Sequence, residues 1–337
     1  MPESRPAGAL QVLAHAWRRS ARERRGESRS LLTNGDWEEL AAALAQAPQE
    51  SMQAAQARRR HAGDGRSPLR GQGLAYAQSR LYQPGDDMRA MHWSLLARTG
   101  RPYVREYDEE HAAPWHALVD VHGSMLFGTR TRTKATQAAR AAVLAAGLQV
   151  AVSAPSSLSL SLWSGRVVQT RDFGGGYPAV RRAAHWLGQA SIAPPDLPVA
   201  GAEESLQALR GWAQRLARHR PAPGRIVICS DFAWLDDAAR SALWPLVARV
   251  QLTCLRVLDP VELDLPALPS SAFVDARTAG EVWLESGAQQ REAFARLARQ
   301  RTERTLAALR GLRARVAQVL APDAAAPVRG ALLELLR

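Results

Sequence analysis

Cysteine is scarce in this sequence of 337 residues, which contains only Cys229 and Cys254. Both lie in apolar runs typical of buried strands, where a free cysteine serves as a small core residue. Two cysteines without further ligands at metal-binding spacing exclude a disulfide framework and a zinc motif. Because this usage is typical of a reducing compartment, we expect a cytoplasmic protein.

Long hydrophobic runs are also missing. No apolar stretch reaches the roughly 20 residues that cross a bilayer. The nearest candidate, residues 141–152, is interrupted by Gly147 and Gln149. The amino terminus lacks the continuous apolar core of a signal peptide. We therefore expect neither a membrane span nor a signal peptide.

Lysine is almost absent, since the 44 basic residues are all arginine except Lys134. The formal net charge of +12 would suit a nucleic-acid partner. The arginines, however, are spread through every segment rather than gathered with aromatic residues on one face, as nucleic-acid recognition requires. Nucleic-acid binding is therefore kept only as an alternative function.

The sequence does contain a regular alternation of apolar strands and helices from residue 113 onwards. This alternation predicts an α/β domain with a mostly parallel sheet and helices on both faces. We predict three parts: an N-terminal helical segment (1–62), a segment of short strands (63–112) and the α/β domain (113–337). Within the first part, Asp36 is predicted to cap a helix.

Two of the predicted parallel strands end in carboxylates. Asp120 follows a strand that begins near Trp115, and Asp231 follows the apolar run before Ser230. Because the carboxyl ends of parallel strands meet at one edge of a sheet, we expect these side chains to lie in one crevice. Oxygen ligands of this type suit Mg²⁺ or Mn²⁺. The candidate metal ligands are Asp120, Ser124 and Asp231.

This arrangement resembles the von Willebrand factor A fold, whose metal-dependent adhesion site carries an Asp-x-Ser-x-Ser loop. Asp120 and Ser124 match the first and last positions of that loop, and His122 replaces its first serine. Asp231 matches the later carboxylate of the family. No threonine is found for the third loop, and residues 174–176 take its plausible place. The resemblance implies either a metal site or a vestigial loop held by ordinary hydrogen bonds.

The segment before this loop carries a denser pattern, which resembles the domain of unknown function family numbered 58. The order and spacing of the matching residues make a chance match improbable. That resemblance implies a von Willebrand A-like domain and an adaptor role beside MoxR-type AAA+ ATPases. The matching positions are Arg80, Tyr82, Pro84, Gly85, Asp86, Asp87, Trp93, Arg98 and Arg105.

Physical reasoning about that segment leaves two interpretations open. A tight turn followed by Asp86 and Asp87 predicts a rigid loop whose carboxylates bind backbone amides. Trp93 is predicted to anchor the loop in the core, and Arg98 and Arg105 to pair with nearby acidic residues. Such a network either fixes a small β element in place or forms a surface for a partner protein.

We expect a non-enzymatic adaptor that binds a partner protein, through a divalent ion or through loop amides and side chains. The main alternative is a metal-dependent or Ser-based hydrolase at the same loop, with His122 activating Ser124. Residues of one short loop rarely reach triad geometry, because the base needs an orienting group behind it. The predicted partner-binding residues are Asp120, His122, Ser124, Asp231, Asp86 and Asp87.

Overall fold

The computed structural model describes residues 30–46, 75–84, 86, 88, 91–108, 113–153, 155–190, 201–267, 271–274, 281–284 and 287–336. The chain divides into two compact units. The larger unit comprises residues 1–51 and 113–337, and the smaller one comprises residues 52–112. The domain boundaries predicted above stay predictions.

The helices and strands alternate along the chain. In order, they are α1 (34–46), β1 (Ala75–Leu81), α2 (Trp93–Thr99), β2 (Tyr103–Asp108), β3 (Trp115–Asp120), α3 (Lys134–Ser153), β4 (Leu158–Trp163), β5 (Val168–Asp172), α4 (Gly176–Gln189), α5 (Ala202–Arg218), β6 (Arg225–Ser230), α6 (Asp237–Val247), β7 (Gln251–Leu258), β8 (Ser271–Val274), β9 (Glu281–Leu284), α7 (Ala288–Gly311), β10 (Arg315–Leu320) and α8 (Ala325–Leu336). Short 3₁₀ turns occupy Gly123–Leu126 and Pro260–Glu262.

Six strands form the central sheet, in the order β10-β7-β6-β3-β4-β5. Neighbouring strands are parallel except for β5, which runs antiparallel to β4. The predicted α/β fold with a mostly parallel sheet is confirmed. After β3 the chain moves first to β4 and β5 and then crosses to β6 on the other side. The strand order thus reverses between β3 and β6, where such sheets bind ligands.

Both faces of the sheet are covered by helices. On one face Ala117 and Val119 of β3 pack in a core with α1, α3, α4 and α8. On the other face Leu118 packs with α5, α6 and the end of α7. A strand buried on both sides reads as a continuous apolar run, as β3 does.

Helix α3 is apolar on nearly all sides because it crosses the interior. In the part of the chain that the structure describes, it is the one helix with the length and composition of a membrane span. Its apolar stretch is 78% buried inside the protein. Core helices of globular proteins have this character.

Helix α1 is capped by Thr33, so the prediction that Asp36 is the cap was wrong. The Thr33 Oγ1 accepts from the Asp36 N–H at 3.1 Å, and Asp36 Oδ2 accepts from the Thr33 N–H at 3.0 Å. Asp36 is therefore the third helical residue of a reciprocal capping box. Its other oxygen binds Arg140, whose guanidinium also pairs with Glu39. This contact of the buried Arg140 with two partly exposed carboxylates fixes α1 on α3.

The smaller unit contains the antiparallel pair β1–β2 with α2 between the two strands. The prediction that Trp93 anchors this segment in the core was wrong, because Trp93 is 57% exposed. Trp93 is the first residue of α2, a short helix with no buried residue. Met91 is the buried residue instead, and it bridges to Val104 of β2.

The loop carboxylate of this unit behaves as predicted where it is described. Asp86 Oδ2 accepts from the Gln83 N–H at 2.8 Å. Arg98 lies exposed in the last turn of α2. Predicted features that lie outside the described part are Gly85, Asp87 and the side chains of Arg80 and Arg105.

Candidate functional site

The carboxylate of Asp120, at the end of β3, is fully buried and engaged at both oxygens. Oδ1 accepts from the backbone N–H of His122 at 3.1 Å and from its Nδ1 at 2.5 Å. Oδ2 accepts from Ser230 Oγ at 2.6 Å and from Trp234 Nε1 at 3.1 Å. The bond from the His122 N–H to Asp120 is a common turn contact, in which an aspartate accepts from the backbone N–H two residues later. Asp120 thus holds the loop after β3 to the end of β6.

Asp231 is buried in the same way, but its main partner is a lysine. Its Oδ2 accepts from Lys134 Nζ at 2.7 Å, and its Oδ1 accepts from the Ala233 N–H at 2.8 Å. The Ser124 hydroxyl also bonds to this carboxylate. Lys134 Nζ donates a second bond to Glu262 Oε1 at 2.8 Å. A single ammonium therefore joins two carboxylates from distant parts of the chain.

The charges of this buried group stabilise one another. Burial raises the pKa of Asp231, but the charge and hydrogen bond of Lys134 outweigh it and hold the pKa well below its usual range. Burial lowers the pKa of Lys134, yet Asp231 and Glu262 outweigh burial and raise it. Both groups stay charged at neutral pH, as a buried ion pair with good geometry requires.

His122 supplies a second cationic partner at the loop surface. Its side chain is 15% exposed, and its ring lies 4.5 Å from the ring of Trp163, centroid to centroid. Burial lowers the pKa of His122, but the charge and hydrogen bond of Asp120 and the charge of Asp231 raise it overall. The protonated imidazole is thereby favoured. Asp120 and Asp231 are each paired with a basic side chain, His122 and Lys134, and Lys134 is shared with Glu262.

The predicted ligands Asp120, Ser124 and Asp231 are brought together, but this arrangement does not fit a divalent ion. Mg²⁺ takes about six oxygen ligands in a near-octahedral shell. Here the carboxylate oxygens face N–H, O–H and ammonium donors. Within the residues that the structure describes, no group of three or more His, Cys, Asp or Glu side chains is placed to hold a metal.

Residues 174–176 do not lie at this edge of the sheet, so their predicted place in a third loop was wrong. Gly174 O accepts from the Leu158 N–H, at the amino end of β4. Because β5 runs antiparallel, the residues after it return to the opposite edge from Asp120. The turn between β4 and β5, which contains Gly165, lies at the edge of the candidate site instead.

Polar side chains continue from Asp120 across three more strands. Ser230 of β6 is paired in register with Arg256 of β7, which is paired with Gln318 of β10. Arg256 is buried, and its Nη1 donates to Gln318 Oε1 at 3.2 Å. The carboxyl edge of the sheet thus has a polar layer above the apolar core.

Sequence reasoning missed Lys134 and Glu262, the residues that complete the crevice. One signal was present in the sequence, because Lys134 is the single lysine among 44 basic residues. It also lies in the first turn of α3, where the helix dipole disfavours a cation. A lone lysine at an unfavourable helix position indicates a specific partner.

Both serines of the crevice bond to carboxylates. The Ser124 hydroxyl bonds to Asp231, and Ser230 Oγ donates to Asp120. A serine nucleophile needs to give its proton to the base, which here would be His122. Among the contacts that the structure gives for these two serines, none joins a hydroxyl to the His122 ring.

Curated relatives from Mycobacterium tuberculosis and Mycobacterium bovis are 31% identical over 218 residues, and their names call them uncharacterized. The alignment covers 64% of this chain and 65% of each relative's length.

Two solved structures match part of this chain. One is an aerotolerance-related membrane protein from Bacteroides fragilis, with 14% identity and a TM-score of 0.43. The other is the conserved hypothetical protein BatB from Bacteroides thetaiotaomicron, with 12% identity and a TM-score of 0.41. Each match covers 66% of this chain and 98% of the other chain.

The family resemblance of the signature segment is confirmed over a much longer stretch. Residues 78–304 match the family described as protein of unknown function DUF58. This match includes the signature segment, the loop after β3 and the crevice carboxylates. The chain belongs to the DUF58 family of proteins of unknown function.

Proposed function

We propose that this protein is a non-enzymatic adaptor that binds a partner protein with the loop after β3. The observation that carries the proposal is the way this loop is held. Two buried charge pairs, Asp120 with His122 and Asp231 with Lys134, fix it at the ligand-binding edge of the sheet. A loop that is rigid before binding loses little conformational entropy on association.

The chemistry of the loop suits an acidic group of the partner. His122 is partly exposed, and its raised pKa favours a positive charge. Arg130, in the segment that leads to α3, is exposed. A partner carboxylate would accept hydrogen bonds from the imidazolium and from the guanidinium. Asp120 and Asp231 are buried, so they would not contact the partner. Their role would be to hold the loop in place.

The resemblance of the signature segment points to a MoxR-type AAA+ ATPase as the partner. The test is the affinity of the purified protein for a purified MoxR-type ATPase from the same genome, in the presence of ATP. The double variant His122→Ala/Arg130→Ala is expected to bind at least about tenfold more weakly, as the loss of one charged contact in an interface does. The matched control is Tyr177→Ala, an exposed residue of α4 near the opposite edge of the sheet.

Equal affinities for wild type and the double variant would place the interface elsewhere. The variant Asp86→Ala/Asp87→Ala then tests the second predicted surface. Absence of binding by the wild type would overturn the ATPase partnership.

The alternatives have their own assays. Turnover of an ester or phosphoester that is lost in Asp120→Ala would favour a hydrolase. Binding of duplex or single-stranded probes that weakens steeply with salt would favour a nucleic-acid function.

A further inference from the structure

The ammonium of Lys134 lies at the centre of a group of hard oxygen atoms. Its Nζ is 2.7 Å from Asp231 Oδ2 and 2.8 Å from Glu262 Oε1. The side chain is fully buried, and the Phe127 ring lies 6.0 Å away on another side. This is an enclosed site for one positive charge.

The two carboxylates are themselves fixed from behind. Asp231 Oδ1 accepts from the Ala233 N–H at 2.8 Å. Glu262 Oε2 accepts from the Asp259 N–H at 2.9 Å, which closes the capping box of the 3₁₀ turn. Each residue therefore turns one oxygen to the protein backbone and the other to the ammonium. The backbone bonds thus hold both carboxylates from the side away from the ammonium.

The choice of lysine at this position is informative. A chain whose basic residues are otherwise all arginine keeps a lysine here. An ammonium is a compact point charge with three donors, whereas a guanidinium is a wide planar fork. A compact cation between two carboxylates is also what a divalent ion provides.

We propose that Lys134 is a built-in cation that takes the place of a divalent ion between Asp231 and Glu262, and that loss of its charge turns the crevice into a site for Mg²⁺ or Mn²⁺. The wild-type crevice then keeps its shape without metal. Partner binding would be insensitive to chelators, a consequence that rests on the adaptor function proposed above.

The test compares thermal unfolding in a chelator with unfolding in excess Mg²⁺ or Mn²⁺. Wild type is expected to show the same Tm in both. Lys134→Ala, which removes the ammonium and leaves room for a hydrated ion, is expected to gain several degrees in Tm with metal. Electron paramagnetic resonance of added Mn²⁺ should then report one bound ion per chain in this variant and none in wild type.

Two further variants keep the proposal falsifiable. Lys134→Ala/Asp231→Asn removes a carboxylate together with the cation, and it should show no metal response. If Lys134→Ala is unfolded in chelator, recovery of the native circular dichroism on adding Mn²⁺ supports the proposal. A folded Lys134→Ala with no metal response, or a variant that Mn²⁺ does not refold, overturns it.

A metal-dependent rise in the Tm of wild type that Asp231→Asn abolishes would also overturn the proposal. These measurements use the purified protein alone. Failure of the partner to bind would therefore remove the adaptor function without touching the assignment of Lys134.

Discussion

Lys134 is the side chain on which the charge balance of the crevice depends. It is fully buried with two carboxylates, one of which, Asp231, is almost fully buried as well. A buried ion pair adds little net stability over an apolar pair, but removal of one partner leaves an uncompensated charge. The stability of the protein should therefore respond strongly to this one residue.

Lys134→Met is expected to lower the free energy of unfolding by about 3–5 kcal/mol, because Asp231 keeps its charge without a partner. Lys134→Arg keeps the charge but places a wider group in a packed site, and a cost of about 1–3 kcal/mol is expected. Urea denaturation at neutral pH measures both.

The matched control for this prediction is Arg166→Met. Arg166 pairs with Glu204 at 3.1 Å, but both side chains are about half exposed. An exposed pair contributes at most about 1 kcal/mol. Similar losses for Lys134→Met and Arg166→Met would contradict the buried-charge argument.

His116 is a second buried ionisable residue, on the face of β3 that packs against α5. Its Nε2 lies 2.9 Å from Ser161 Oγ, which also accepts from Trp212 Nε1 at 3.1 Å. Burial lowers the pKa of His116 to about 3, and a positive His219 adds to this, while Asp172 opposes it. The folded protein therefore holds this imidazole neutral over most of the acid range.

The consequence is a loss of stability as the pH falls from about 6.5 to about 3. In that window the unfolded chain takes up a proton at His116 and the folded chain does not. Proton uptake therefore stabilises the unfolded state relative to the folded state. Compared with His116→Gln, wild type should lose about 1.6 kcal/mol more between pH 6.5 and pH 5, because half of the unfolded imidazole is already protonated at pH 6.5. Urea denaturation at the two pH values measures it, and parallel losses would disprove the assignment.

At the scale of elements, α3 connects the site to the rest of the larger unit. Polar side chains recur every third residue through its buried first half. Lys134 binds the crevice carboxylates, and Gln137 Nε2 donates to Leu320 O and Asp323 O. Arg140 then holds α1 through Asp36 and Glu39. Each of these three side chains is bonded to a residue outside α3, which fixes how the helix lies in the fold.

Gly147 of α3 allows α1 to pack closely. A Cβ at this position would lie 2.4 Å from a terminal methyl of Leu44 on α1. Gly147→Val is therefore expected to displace α1 while the sheet stays folded, because the contact concerns only these two helices. Hydrogen exchange measured by mass spectrometry should be faster in residues 34–46 and unchanged in β3.

The control for that prediction is Gly211→Ala in α5. A Cβ there meets only the end of Arg215, at 3.4 Å. Replacing a helical glycine by alanine where there is open space raises the free energy of unfolding by roughly 0.5–1 kcal/mol. Unchanged exchange of α1 in Gly147→Val would show that Leu44 moves aside instead.

The elements themselves were well predicted from the sequence, because strands buried on both faces are short apolar runs with polar ends. The same reasoning placed Asp120 and Asp231 at one edge, since parallel strands share a direction. The reasoning failed where the position of a residue depends on the direction of a strand or on where a helix begins. Residues 174–176 follow an antiparallel strand and lie at the other edge, and Trp93 begins a helix with no buried residue.

The pairing of Lys134 with the crevice carboxylates could not be predicted from short stretches of sequence, for a different reason. Lys134 and Asp231 are 97 positions apart, and Lys134 and Glu262 are 128 apart. No periodicity connects such residues, and only the strand order brings them together. The rarity of lysine was the single local signal.

For the molecule as a whole, the site is tied to the centre of the sheet. Strands β3, β6 and β7 are buried over nearly their whole length, whereas β5 at the edge is exposed from Gln169 onwards. The bond from Ser230 to Asp120 joins two of the central strands directly beneath the loop. The candidate site therefore rests on the part of the fold that should open last.

Native-state hydrogen exchange tests this arrangement. Amides of β3, β6 and β7 are expected to exchange only through global unfolding, while β5 exchanges through local opening at lower free energy. With rising denaturant, the opening free energies of the three central strands should therefore fall with the slope of global unfolding, and that of β5 should change little. If β3 opened locally with a free energy as low as that of β5, the loop would not be rigid before binding. The adaptor proposal would then lose its main support.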